Sequence, residues 1–282
     1  MATPTIKATT KLNWGAYAGW QVSDVTTLES KVGKNMKYVT TFVHWGNEND
    51  LPLDLGNLAK NNGQTLVLYW EAMNYNFEGP NDPRFSYEAI LRGDWDKYIT
   101  GFAAQVKTFG GPVILIPFEE MNGDWYPWGV TKNGNSAAKH IETYRYLHKF
   151  FKGITNVKFG WTVNNESTDG ASALISDFYP GDQYVDIIGV NGFNFDSPWM
   201  TFSEIFDSSL QQLETINKPI MIFSTSCAPG VNKASWITDA FGVQIKKHPQ
   251  VIGWIWFNEN KEKDWRVWSD DNSLSAFRAI LP

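Results

Sequence analysis

The sequence predicts an α/β chain folded as a single (β/α)8 TIM barrel, with its functional face at the C-terminal ends of the strands. Three observations predict it. Short β-branched or aromatic runs recur eight times along the 282 residues. Longer helical patterns separate them, as in the βα units that build a parallel sheet. The mean spacing is about 35 residues per unit, the size of one barrel repeat. An open doubly wound sheet shares this alternation, but no G-x-G-x-x-G follows the first strand and no P-loop spacing occurs. No linker or internal repeat divides the chain, so residues 1–282 read as one domain, with 1–12 as an extended N-terminal segment.

The elements follow in order. Gly-Ala-Tyr-Ala-Gly-Trp at 15–20 is the first expected strand, and 25–32 its helix. Tyr-Val-Thr-Thr-Phe-Val at 38–43 precedes a helix at 53–60. Thr-Leu-Val-Leu-Tyr at 65–69 leads to the long helical stretch 94–109. Val-Ile-Leu-Ile-Pro at 113–117 is followed by a helix at 137–151, and strand 158–162 by a weak helix near 171–175. Strands 185–190, 220–223 and 251–257 precede helices 202–213, 234–246 and 273–279. Such apolar, β-branched runs suit a sheet covered on both faces.

Composition removes several classes of function. The net charge is −6, from 30 acidic and 24 basic side chains, and no run of Lys or Arg occurs. Nucleic acid and anionic membranes are therefore not expected partners. Cys227 is the single cysteine, so no intrachain disulfide and no Cys-based zinc or iron–sulfur site can form. At 43% apolar and 19% charged residues the chain reads as globular with a large core, neither disordered nor coiled coil. Residues 1–11 are polar, and the longest apolar stretches, 113–117 and 219–223, are far too short to span a membrane.

The aromatic content is high, with 14 Trp, 11 Tyr and 18 Phe. Trp20, Trp45, Trp70, Trp125, Trp128, Trp199, Trp265 and Trp268 fall at or just beyond expected strand ends, where a barrel of this kind binds its ligand. Trp14, Trp95, Trp161, Trp236 and Trp254 read as core. Sugar rings have apolar C–H faces and polar edges, so the first group predicts a polysaccharide cleft.

Residues 116–129, Ile-Pro-Phe-Glu-Glu-Met-Asn-Gly-Asp-Trp-Tyr-Pro-Trp-Gly, close the fourth strand. Successive strand side chains alternate, so one of Glu119 and Glu120 should face the cleft. Glycoside hydrolysis needs a carboxylic acid to protonate the leaving oxygen, and an aromatic surround such as Trp125 and Tyr126 keeps that proton in place near neutrality. A solvated Glu pair would leave Asn122 and three aromatics in the same turn unexplained.

This motif closely resembles the acid/base motif of glycoside hydrolase family 26, a family of retaining (β/α)8 endo-β-glycanases. Other stretches agree in order: Trp14-Gly-Ala-Tyr17, Leu68-Tyr-Trp70-Glu71, Asn164, Lys218-Pro-Ile-Met-Ile222, Trp256-Phe-Asn258 and Asp264-Trp265-Arg266. The similarity covers essentially the whole chain. It implies Glu120 as general acid/base and Trp125, Trp128, Trp256 and Trp265 as sugar contacts. Glu119, Asn122, Phe193, Trp45 and Trp70 complete the candidate cleft. It further implies a secreted, monomeric enzyme that acts on a β-linked polysaccharide or oligosaccharide without cofactor or metal.

A retaining glycosidase needs a second carboxylate about 5–5.5 Å from the first. In this family it follows the seventh-strand run, and the residue there is Ser224. A serine hydroxyl without a neighbouring His or Lys base is a poor nucleophile toward an acetal carbon, so hydrolysis is expected to be very slow or absent. Three readings stand. Ser224 replaces a glutamate by design, as in a trapped or glycosynthase form; the chain is a natural non-catalytic sugar binder; or another carboxylate serves, with Glu71, Glu166, Asp186 and Glu259 nearest. The first is favoured, because the acid/base and aromatic positions stay intact around one missing carboxylate.

Two further departures bear on substrate. Glu119 stands where mannan-cleaving members commonly have His, and Phe193 where the family often has a Tyr that bonds the nucleophile. Epimer specificity rests on such single hydrogen bonds. Mixed-linkage β-1,3-1,4-glucan is therefore slightly favoured over β-mannan, with β-1,3-xylan behind.

Other chemistry finds little support. The four histidines, His44, His140, His148 and His248, show no H-E-x-x-H spacing, and no G-x-S-x-G occurs. His44, beside Trp45, reads equally as a structural residue or a subsite contact. Residues 269–272 lack calcium-loop spacing. Asn165-Glu166-Ser167 is a glycosylation sequon.

Overall fold

A computed structural model describes residues 12–76 and 79–282; the expected segment 1–12 falls almost wholly outside the described residues. Eight parallel strands close into a barrel in chain order. They are β1 (Asn13–Tyr17), β2 (Tyr38–His44), β3 (Thr65–Glu71), β4 (Val113–Pro117), β5 (Val157–Asn164), β6 (Ile187–Asn194), β7 (Ile220–Cys227) and β8 (Val251–Phe257). The surrounding helices are α1 (Val22–Val32), α2 (Leu53–Asn61), α3 (Tyr87–Leu91), α4 (Asp96–Phe109), α5 (Ala137–Phe150), α6 (Phe202–Leu213), α7 (Lys233–Gly242) and α8 (Asp271–Ile280). Among the described residues no helix is long and apolar enough to cross a membrane.

Three expectations need correction. The weak helix near 171–175 is absent, and its crossover holds only a 3-10 turn at Ile175–Phe178; the preceding Ser, Thr, Asp and Gly residues favour turns. The helix expected over 234–246 ends at Gly242 and gives way to a 3-10 turn at Gln244–Lys247. Strands β3, β5, β6 and β7 run two to four residues further than expected. Their polar tails, which include Glu71, Asn164, Asn191 and Ser224, look like loops in sequence but face the mouth of the barrel.

Strand alternation sorts the core into two layers. Tyr38, Val67, Tyr69, Ile114, Ile116, Ile187, Met221, Phe223 and Ile255 fill the lumen, while Leu66, Leu68, Trp70, Leu115, Trp161, Trp254 and Trp256 pack outward against the helices. The lumen is tight around Phe223. A Cβ on Gly160 would lie 2.9 Å from Ile116 Cγ1 and 3.1 Å from Phe223 Cζ, and one on Gly189 would collide with the Met221 carbonyl.

One irregularity positions the site. In the β6–β7 ladder Val190 pairs with Ile222 but Asn191 pairs with Ser224, so Phe223 is an extra residue. The β7–β8 ladder shifts at the same place. Such a bulge re-aims the following side chain. Phe223 joins the lumen core, and the next residue, Ser224, also turns inward to meet the Tyr69 hydroxyl.

Candidate active site

The exit of β4 sets the geometry. The strand stops at Pro117, and Phe118 and Glu120 then adopt left-handed backbone, with φ of 57° and 53°. Each such non-glycine residue costs about 1–2 kcal/mol, so the surroundings must hold it. Glu120 N–H donates to Thr162 O at 3.0 Å, Val130 N–H to Met121 O at 2.9 Å, and Trp128 Nε1 to Glu119 O at 2.7 Å. Because the strand has ended, alternation no longer separates the two glutamates. Phe118 turns outward onto Trp45 and Tyr87, and both carboxyls remain at the barrel mouth.

Glu120 is half-buried and well coordinated. Trp125 Nε1 donates to its Oε2 and Asn191 Nδ2 to its Oε1, each at 2.8 Å, and Asn164 adds a further contact. Burial nevertheless holds its carboxyl above the ordinary Glu range, opposed by these donors. Glu119 is buried and lies against Glu71; burial first, and that carboxyl second, hold Glu119 well above the usual range. Glu71 in turn meets His44, with Nε2 2.8 Å from Oε2. Glu119 thus closes a buried acid pair, with little of its side chain open at the mouth.

Opposite Glu120 stands Ser224, 7% exposed. The Tyr69 hydroxyl, beside it, donates to Phe223 O at 2.7 Å. Asn191 joins the two walls: its Nδ2 reaches Glu120, its Oδ1 accepts from Thr162 Oγ1 at 3.2 Å, and its backbone is the register partner of Ser224. Phe193 is half-buried against Phe257, Trp265 and Phe195, with ring centroids 5.9, 5.5 and 6.0 Å away.

Most of the expected sugar platforms are structural. Trp45, Trp70, Trp128 and Trp256 are 0% exposed and Trp265 is 1% exposed. Trp70 lies between the inward Tyr69 and Glu71, so it points outward, stacks on Phe102 and bonds Tyr98 through Nε1 at 3.1 Å. Trp45 packs on it at 4.6 Å. Trp128 stacks under Tyr126 at 4.4 Å and pins the β4 exit. Trp256 faces the helices and donates to Trp265 O at 2.9 Å, while Trp265 lies beneath Phe193 and Phe195. Asn122 is also spent on structure: its amide bonds Asn164 O, Glu166 O and Asn164 N–H at 2.8–3.2 Å.

The exposed aromatics at the mouth are the expected Trp20 and Trp125, at 40 and 38% exposure, joined by Tyr75 and Phe195, at 57 and 50%. Trp20 and Tyr75 flank His44, with centroids 6.0 and 5.3 Å from the imidazole. Tyr75 and Phe195 were missed because they sit in loops without a recognisable motif. Asn191 was missed too, because the strand is expected to end at 190; the inward parity of Ile187 and Gly189, carried on through β6, is the signal that could have found it.

Of the alternative carboxylates, Glu71 stays at the mouth and acts on both Glu119 and Glu120, whereas the other three lie elsewhere along the chain. Asp186 accepts from Phe159 N–H at 2.7 Å before β6 begins, at the far end of the barrel. Glu166 is exposed on the β5 loop and Glu259 lies beyond β8. His140 sits behind the barrel between Tyr87 and Trp161, and His248 meets Asp207 and Glu214. Among the described residues no group of His, Cys, Asp and Glu has the arrangement of a metal site.

The chain is similar to several known proteins. The chain is 34% identical to Endoglucanase H of Acetivibrio thermocellus over 96% of its own length, but spans only 30% of that protein. It is 28% identical to a mannan endo-1,4-beta-mannosidase of Bacillus subtilis over 55% of this chain and 41% of that protein. In fold it resembles the Bacillus subtilis mannanase man26, with a TM-score of 0.72 and 17% identity, over 96% of this chain and 86% of that one. A GH26 beta-mannanase from Bacteroides ovatus matches with a TM-score of 0.72 and 19% identity, over 96% and 88%. The family profile described as Glycosyl hydrolase family 26 matches residues 35–272, and with it the Glu120 strand end and the barrel around it: the chain belongs to glycosyl hydrolase family 26.

Proposed function

We propose that the cleft binds a β-linked glycan, with Glu120 as general acid/base and position 224 as the place of the nucleophile. The observation that carries this reading is the Asn191 bridge, which ties the Glu120 carboxyl to the strand position opposite it. With a carboxylate at 224, double displacement follows. The carboxylate attacks the anomeric carbon as Glu120 protonates the departing oxygen; the ionised Glu120 then takes a proton from water as the glycosyl-enzyme is hydrolysed, retaining the β configuration. Trp125, exposed and bonded to Glu120, supplies a stacking face for the leaving sugar.

With Ser224 the first step fails. The cleft holds glycan without cleaving it at an appreciable rate, and couples an activated α-glycosyl donor to an acceptor with Glu120 as base. Mixed-linkage β-glucan is favoured over mannan. Endoglucanase H matches nearly the whole chain whereas the mannosidase matches about half, and Glu119 is a buried partner of Glu71 in place of an imidazole. Ser224→Glu tests the reading. Hydrolysis of barley β-glucan should rise by orders of magnitude with retention of the anomeric configuration; no gain on glucan or mannan would favour a non-catalytic glycan binder.

A further inference from the structure

Lys233, the first residue of α7, is 0% exposed. Its Nζ donates to Asp264 O at 3.1 Å and Arg266 O at 2.8 Å, and lies 5.8 Å from the Trp256 ring centroid. The carbonyl between those two, Trp265 O, accepts from Ser226 Oγ at 3.0 Å and Trp256 Nε1 at 2.9 Å. Three successive carbonyls of the loop after β8 are thus each captured by a buried donor from β7, β8 or α7. The Trp265 indole hangs from this anchored segment and supports Phe193 and Phe195, the latter exposed at the mouth. An Asp196–Lys263 ion pair at 3.1 Å ties the Phe195 loop to the same segment. Burying an ammonium is costly unless it is paired. Two carbonyls and a ring receive it, Cys227, Asp264 and Asp270 act on it electrostatically, and burial still lowers its pKa to about 8.

We propose that Lys233 is a positioning residue for glycan binding: it fixes the 264–266 backbone, which sets Trp265 and through it the Phe193–Phe195 shelf that receives the sugar chain on the β6–β8 side. The proposal rests on reading the cleft as a glycan groove. Its test is calorimetric titration of the Ser224 protein, well below its melting temperature, with a mixed-linkage gluco-hexasaccharide and with mannohexaose. Lys233→Met should weaken binding of the preferred sugar about tenfold. Phe195→Ala, an exposed change that leaves folding intact, should do the same. Lys233→Arg, which keeps charge and donors, should recover part of the loss. Tyr144→Phe removes a buried hydroxyl bond to Gly160 O on the helix side and sets the scale of a purely structural effect; it should bind like the parent. Parent-like binding by Phe195→Ala, or equal weakening by Lys233→Met and Tyr144→Phe, overturns the positioning role. If the parent binds neither sugar, or Trp125→Ala is also neutral, the glycan-groove reading itself fails.

Discussion

Trp125→Phe isolates one hydrogen bond to the acid/base. The indole Nε1 donates to Glu120 Oε2 at 2.8 Å, while Asn191 holds the other oxygen. A donor of this kind favours the ionised carboxylate, so its loss must raise the Glu120 pKa further above the ordinary Glu range, where burial already holds it. A hydrogen bond to a charged group is worth about 1.5–3 kcal/mol, and one pKa unit corresponds to about 1.4 kcal/mol. Trp125 is 38% exposed, so water takes over part of its role; roughly half the bond survives as a shift of about 0.5–1 unit. The phenyl ring keeps the stacking face. The assay is a 13C NMR titration of the Glu120 carboxyl in the Ser224 protein, which requires no turnover. A Glu120 pKa that stays put or falls in Trp125→Phe would refute the role given to this bond.

Two further outcomes follow from buried groups elsewhere. His140, 0% exposed between the Tyr87 hydroxyl at 2.7 Å and Trp161 Nε1 at 3.2 Å, is pushed by burial down to about 3. Its folded pKa lies below the unfolded value, so the unfolded chain binds more protons and stability falls as pH drops through 6.5. This contributes roughly 3 kcal/mol between pH 6.5 and 4, and urea melts of His140→Gln should lose that part of the acid dependence. Gly160→Ala overpacks the lumen against movable side chains and should cost about 1–3 kcal/mol in thermal melts, whereas Gly189→Ala meets the Met221 carbonyl and should cost more.

The barrel was legible because strand and helix runs alternate without interruption, and β4 and β8 fall where their apolar runs place them. The Glu120–Trp125 contact was legible because the two residues lie close in sequence and meet in space. The tryptophans misled because proximity to a strand end says nothing of which face a side chain takes. Trp70 and Trp256 have the outward parity, and the inward neighbours Tyr69, Glu71 and Phe257 line the mouth instead. Trp128 is buried by the left-handed turns after Pro117, which no local propensity announces. The burial of Glu119 against Glu71 was hidden for the same reason, since strand alternation stops two residues before it.

The bulge at Phe223 and Ser224 has a consequence for how such a site changes over time. In a regular strand, every residue facing the lumen alternates with one facing the helices, so a mouth residue and its packing neighbour are two apart and share one ladder. Here the plug and the reactive position are consecutive: Phe223 seals the barrel while Ser224 stands above it. The side chain at position 224 is therefore not itself part of the layer that keeps the barrel closed. If position 224 is the nucleophile's place, as proposed, chemistry there is set by a residue distinct from the one that closes the barrel, and one replacement decides it.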